Sequence, residues 1–197
     1  TFSCDPSWPS SRVTSIAADK QENLWIGTHS GLYFLDKHTQ KASYCAYATD
    51  KNKVNNLAIN KVYVDKENNV WIATMNGLNV IKSKTKQVIF YTSDKNRQNS
   101  LSHNDVRCLF EDRQRRLWLG TAKGIDIFTN AADVPETAHL IHIQNNSNKK
   151  SLNEGAVQVI FQDNKGRILI GIENGGLDVL HPQNLANGKF EFDHHVN

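Results

Sequence analysis

The chain has 197 residues, 39% of them hydrophobic and 22% charged, with a formal net charge of +3. That length can bury the core of one domain or slightly more, and the composition is ordinary for a soluble globular protein. The mild charge excludes the concentrated basic stripe of a nucleic-acid or anionic-membrane binder, and the longest apolar runs, about five residues, cannot span a bilayer. No charged start followed by an apolar core opens the chain, so no signal peptide is read in this segment. Cys4, Cys45 and Cys108 are odd in number and lack metal-site spacing, and read as free thiols that pack as small hydrophobes.

In chain order the sequence repeats one grammar four times. A short β-branched run ends in Asp: "VTSIAAD", "VYVD", "VRCLFED" and "VQVIFQD". A polar turn follows ("KQEN", "KENN", "RQRR", "NKGR"), then "LWIGT", "VWIAT", "LWLGT" or, degraded, "ILIGI". A turn ending at a fixed Gly leads to "LYFLD", "LNVIK", "IDIFT" or "LDVL", and a last run closes each copy: "ASYCAY", "VIFYT", "LIHIQ", "FEFDH". The anchors Trp25, Trp71, Trp118 and Leu169 are spaced 46, 47 and 51 residues apart. Six residues before each stands Asp19, Asp65, Asp112 or Asp163, and six after stands Gly31, Gly77, Gly124 or Gly175. Trp8, Leu57, Leu101 and Leu152 lie five residues before the first runs, taken to start at Val13, Val62, Val106 and Val157.

Four short strands per repeat of this length, separated by Gly, Asn and Asp turns, predict an all-β fold of four four-stranded antiparallel β-propeller blades. The whole chain, 1–197, reads as one propeller segment, with blades over about 8–47, 57–92, 101–144 and 152–194. Stacked blades cover both faces of their strands, which explains why apolar and polar residues do not alternate cleanly. The fixed Asp is expected to bond turn backbone, the fixed Gly to take a positive φ, and the Trp residues to pack between blades rather than bind ligand.

These residues resemble the two-component-regulator propeller repeat, whose pattern is nearly written out in "NSLSHNDVRCLFEDRQRRLWLGTAKGI" (Asn99–Ile125). The resemblance covers essentially the whole chain and is weakest in the fourth copy, where Leu169 replaces Trp and Ile172 replaces Thr. It implies a segment of a larger propeller, typically seven-bladed, in the periplasmic sensor region of a hybrid two-component system anchored in the inner membrane. It further implies an oligosaccharide, or another small signal, as ligand, and a histidine kinase outside this segment. Phe2–Cys4 resembles an outer strand of a preceding blade, and open blade faces are expected to favour self-association.

Links entering the first strand and turns between the second and third strands are expected to emerge at one end of each blade. That end offers Arg12, His29, Asn60, Lys61, Asn76, His103, Asn104, Asp105, Lys123, Glu154, Glu173 and Asn174 as candidate ligand-binding residues. They vary while the frame repeats, as loops carrying function on a rigid scaffold do. Their amides, charges and imidazoles suit sugar hydroxyls. Arg113, Arg115 and Arg116 fall at the opposite end and read as a solvated turn. His139/His142 and His194/His195 point to opposite strand faces and cannot share one ion, so no metal is expected. No cofactor or catalytic motif occurs, and Asp105, Glu154 and Glu173 are not paired by spacing as an enzyme would require. The reading is therefore a non-catalytic sensor segment, with a protein-interaction scaffold as the alternative.

Overall fold

A computed structural model describes residues 12–45, 54–97, 99–129, 139–186 and 188–195. The expectations placed on Phe2–Cys4, Trp8 and Ala46–Tyr47 lie outside these residues. Sixteen strands form four four-stranded antiparallel sheets, each with its strands in sequence order, so the four-blade reading holds. The first blade holds β1 (Val13–Ala18), β2 (Leu24–Thr28), β3 (Gly31–Leu35) and β4 (Ala42–Tyr44). The second holds β5 (Ile59–Val64), β6 (Val70–Thr74), β7 (Gly77–Ile81) and β8 (Val88–Tyr91). The third holds β9 (Val106–Glu111), β10 (Leu117–Thr121), β11 (Gly124–Phe128) and β12 (Leu140–Ile143). The fourth holds β13 (Val157–Gln162), β14 (Ile168–Ile172), β15 (Gly176–Leu180) and β16 (Phe192–His195), with a one-turn helix α1 (Pro182–Ala186) between the last two strands. That helix was not expected from the sequence. The chain divides into two compact units, Thr1–Tyr91 and Thr92–Asn197, each containing two blades.

Within each unit the blades meet at their first strands. In unit one Gly27 lies against β5: a Cβ there would come within 2.6 Å of Ile59 Cγ2 and 2.9 Å of Val62 Cγ2. In unit two a Cβ on Gly120 would meet the Val157 side chain at 2.7 Å and its carbonyl oxygen at 2.9 Å. The small residue after "LWI" or "LWL" is therefore what allows two sheets to approach closely. Around these contacts run two buried clusters. One joins Trp25, Leu32, Ile59, Val62, Val70 and Ile81 in unit one. The other joins Trp118, Ile127, Ile160, Ile168, Leu180 and Phe192 in unit two.

The fixed Asp behaves as expected and does more. In every blade one carboxylate oxygen accepts two backbone N–H groups of the following turn, at 2.8–3.0 Å. The second oxygen of Asp65 accepts the Trp71 indole N–H, and that of Asp112 accepts the Trp118 indole N–H, both at 2.9 Å. One side chain thus folds the hairpin and fixes the large ring that separates the blades, satisfying the indole's only polar atom.

Two offsets need correction. The first strand of the second blade starts at Ile59, three residues earlier than "VYVD" suggested. Counting five back from Ile59 gives Val54, which is buried, whereas Leu57 is exposed. Val54 thus corresponds to the buried Leu101 and Leu152. In the fourth blade the residue opening β15 is Gly176, not Gly175. An extra residue makes the β14–β15 turn three residues long (Glu173–Gly175), against two in the other blades.

Candidate functional site

Four backbone hydrogen bonds tie the link entering each first strand to the turn between the second and third strands. They run from His29 N to the Arg12 carbonyl, Met75 N to Ala58, Ala122 N to Asp105, and Glu173 N to Ala156, at 2.9–3.4 Å. Each blade therefore presents both segments at one end, and the candidate residues other than Asn60 and Lys61 sit in these segments or immediately beside them. Because β5 starts early, Asn60 and Lys61 lie inside the strand rather than before it.

In unit one, Arg12, His29 and Asn76 are exposed at the blade ends. The Asn76 carbonyl accepts from the Asn55 side-chain amide at 2.5 Å. In unit two, several candidates are committed to the frame. Asn104 Oδ1 accepts Ser93 N at 2.6 Å, and His103 Nδ1 accepts Asp105 N at 3.1 Å. Lys123, Glu154, Glu173 and Asn174 are exposed, and Asn174 takes φ 59° in the lengthened turn.

The residue that gathers this end of unit two is Arg107, which the sequence reading missed. Its Nε donates to Asp105 Oδ2 at 3.1 Å and its Nη1 to Glu173 Oε2 at 2.7 Å. Gln158 Nε2 donates to the same Glu173 oxygen at 3.1 Å. Partial burial works to lower the Arg107 value, but its hydrogen bonds and charge pairing with Glu173 and Asp105 outweigh this and hold it above the ordinary arginine value. The result is a guanidinium donor flanked by two carboxylate acceptors from two adjacent blades.

Why Arg107 and Gln158 reach this position follows from the strand register. Pairing slips at the second residue of every first strand, which places Thr14, Asn60, Arg107 and Gln158 in β-bulges. A bulge leaves one residue out of the ladder and re-aims its side chain. Thr14 uses this to bond across the blades, donating within reach of the Gly27 carbonyl (3.0 Å) and the Ile59 carbonyl (2.7 Å). The signal was present in the sequence as a differing polar residue directly after the first apolar residue of each copy.

A second set of polar groups is structural. Asp126 and Asp178, both fully buried, accept the backbone N–H of Ser102 (2.9 Å) and Asn153 (2.7 Å) from the links entering β9 and β13. Asn79 does the same for Asn55 at 2.9 Å. Each buried Asp also accepts from a histidine on the neighbouring strand: His142 Nδ1 at 2.7 Å and His194 Nδ1 at 2.6 Å. The His194 ring also reaches the Lys149 carbonyl through Nε2 at 2.9 Å. Carboxylate and carbonyl oxygens both accept, so this setting favours the protonated ring, in which both His194 nitrogens donate. Its value is raised, chiefly by the hydrogen bond it donates to Asp178. Among the described residues no cluster of His, Cys, Asp or Glu is arranged to hold a metal ion.

Residues 7–30 and 100–123 match the two component regulator propeller family. The two matched segments fall in the first and third copies of the repeat. It is similar to the extracellular domain of the hybrid two-component system BT3049 from B. thetaiotaomicron, with 25% identity over 96% of this chain and a TM-score of 0.80. It is also similar in fold to the corresponding domain of BT4673 from the same organism, with 20% identity over 97% of this chain and a TM-score of 0.72. The chain spans about a quarter of the length of these two structures, 25% and 23% respectively. A virginiamycin B lyase from Staphylococcus aureus shares the fold at 10% identity, covering 96% of this chain and 57% of that one, with a TM-score of 0.63. No curated protein matches the chain. Among the described residues no helix is long and apolar enough to cross a membrane.

Proposed function

We propose that this chain is a non-catalytic, ligand-binding segment of the periplasmic sensor region of a hybrid two-component system, and that its signal is an oligosaccharide derived from a glycan. The observation that carries this reading is the Asp105–Arg107–Glu173 set, held at the ends of two neighbouring blades by a repeated backbone frame. A guanidinium between two carboxylates offers donors and acceptors side by side, which suits the paired hydroxyls of a sugar. Gln158, Glu154 and Asn174 extend the polar surface around it. The two carboxylates are engaged by one arginine rather than standing apart across an open space, which disfavours glycoside hydrolysis through an acid and a base. Similarity to the lyase is one of fold, and function belongs to sites rather than folds.

Signalling would follow if the ligand binds one arrangement of the sensor better than another and so shifts the state of a kinase beyond this segment. The apolar faces left exposed by Val13 and Ile16 on β1, and by Val159 and Phe161 on β13, support self-association as the route. Replacing Arg107 by Ala and titrating both proteins with an oligosaccharide panel in a calorimeter tests the site. The expected result is heat with at least one oligosaccharide and its loss in the variant. Equal heats in both proteins would remove Arg107 from the site, and retrieval of a protein partner without any glycan heat would favour an interaction scaffold.

A further inference from the structure

Within each unit the two blades meet through unlike faces. The earlier blade offers a small residue, Gly27 or Gly120, and the later blade sets apolar side chains of its first strand against it. In unit one a Cβ on Gly27 would come within 2.6 Å of Ile59 and 2.9 Å of Val62, and Ser15 Oγ beside it accepts Val62 N at 3.1 Å. A polar contact between turns accompanies the packing. Lys20 N donates to Asn68 Oδ1 at 2.9 Å in unit one, and Arg113 N to Gln162 Oε1 at 3.0 Å in unit two.

Among the described residues one face of each kind is left uncovered. β1 carries Val13 and Ile16, both exposed, at the positions where β5 carries Ile59 and Val62. The fourth blade carries Leu169 and Gly171, both half-buried, at the positions where Trp25 and Gly27 are buried. Their cross-strand partners are Phe161 and Val159, which are exposed. The turn groups match as well. Asn164 follows the fixed Asp as Lys20 and Arg113 do, and among the described residues its N–H makes no hydrogen bond. Glu22 holds the place of Asn68 with nearly the same φ, 63° against 65°. Its side chain is exposed, and Oε2 pairs with Lys37, which leaves Oε1 to accept.

We infer that a second copy of this chain docks head to tail, the β13–β14 face of one copy receiving the β1 face of the next. The inference rests on the self-association proposed above and names the two faces that make it. Gly171 of one copy takes Val13 and Ile16 of the next, as Gly27 takes Ile59 and Val62. The Asn164 N–H donates to the Glu22 carboxylate of the next copy, as Lys20 N does to Asn68. The contact continues the blade interface already present within each unit and removes the exposed apolar side chains of both faces from water. Because the two faces differ, the contact is heterologous, and it closes into a ring or runs on as a filament.

Complementation between two variants of the full chain, read as mass by light scattering, tests the pairing. Ile16→Glu places a charge on the β1 face and Phe161→Glu on the β13–β14 face, each at an exposed position. The unaltered chain is expected to exceed the mass of one chain, and each variant alone to fall to it. An equimolar mixture of the two is expected to give twice the mass of one chain. In the mixture the intact β13–β14 face of Ile16→Glu receives the intact β1 face of Phe161→Glu. Val13→Glu and Val159→Glu take their places if circular dichroism shows that either variant fails to fold. A mixture that stays at the mass of one chain, or association lost in only one of the two variants, would overturn the head-to-tail pairing and leave self-association standing. An unaltered chain of single mass at all concentrations would overturn both.

Discussion

Asp65 holds both a turn and an indole, and its neighbours in the repeat show what that second bond contributes. Trp71→Phe removes a buried N–H and leaves Asp65 Oδ2 with one partner fewer. The expected loss is about 1–3 kcal/mol in chemical denaturation, from the broken bond to a charged group and the smaller ring. Trp25→Phe is expected to lose less than Trp71→Phe, because no bond is broken there. Equal losses would mean that the indoles act through volume alone. The Asp was legible as a turn former from its offset, but its hold on the Trp was not, because that bond depends on which way the ring enters the blade. The buried Asp–His pairs were missed for a related reason. Asp126 and His142, and likewise Asp178 and His194, are separated by the same 16 residues, a spacing visible only once strand pairing is known.

His194 makes a prediction about pH. Its folded value lies above 6.5, so the folded protein holds the proton more tightly than the unfolded chain does. The stabilisation is fully present below the unfolded value and fades as pH rises through the folded one. Denaturation midpoints are therefore expected to fall as pH rises above about 6.5, and His194→Asn is expected to flatten that slope. An unchanged slope in the variant would show that the pair contributes nothing to pH-dependent stability.

At the scale of strands and turns, the blades were legible because several offsets agreed in four copies. Where a single copy departed, the sequence misled. Ile59 opens β5 although Asn60 and Lys61 interrupt the apolar run before Val62, since the bulge at Asn60 restores the inward positions of Ile59 and Val62. Gly176 replaces Gly175 because one turn gained a residue. Helix α1 was invisible because "PQNLA" is a single turn with no periodicity to read.

The glycines between blades give an element-level test. Gly120→Ala brings a Cβ within 2.9 Å of the Val157 carbonyl oxygen, a backbone atom that can move only if the sheet moves. A cost of about 1–3 kcal/mol is expected. Gly171→Ala meets the side chain of Val159 at 2.7 Å. That side chain is on an exposed face and can turn away, so the cost is expected to be smaller. Thermal unfolding of the two variants compares them directly, and a reversed order would contradict close blade packing at Gly120.

For the whole molecule, four of the eight large apolar side chains exposed among the described residues stand on two first strands. Val13 and Ile16 are 43% and 57% exposed on β1, whereas Ile59 and Val62, their counterparts on β5, are 0% and 2% exposed. Val159 and Phe161 are 54% and 57% exposed on β13, where the corresponding Cys108 on β9 is 7% exposed. Each face has the side chains of a blade interface, and among the described residues no sheet covers it. On the proposed self-association, light scattering is expected to give a mass above that of one chain, and Val159→Glu with Phe161→Glu is expected to reduce it. A soluble monomer at all concentrations would count against it. The blade number and strand order were legible in the sequence, and the half of the polar end that serves the frame was not. His103 and Asn104 look free in a loop, yet each bonds backbone there.

The central claim is that the charged blade end of unit two belongs to a sugar-binding surface. Calorimetry with a panel of glycan oligosaccharides on the protein carrying its complete sensor region, beside its Arg107→Ala variant, tests it most directly. The account predicts saturable heat with at least one oligosaccharide and affinity weakened by roughly tenfold or more in the variant, as expected for losing hydrogen bonds from a charged donor. Absence of heat across the panel, or identical affinity in both proteins, would contradict it.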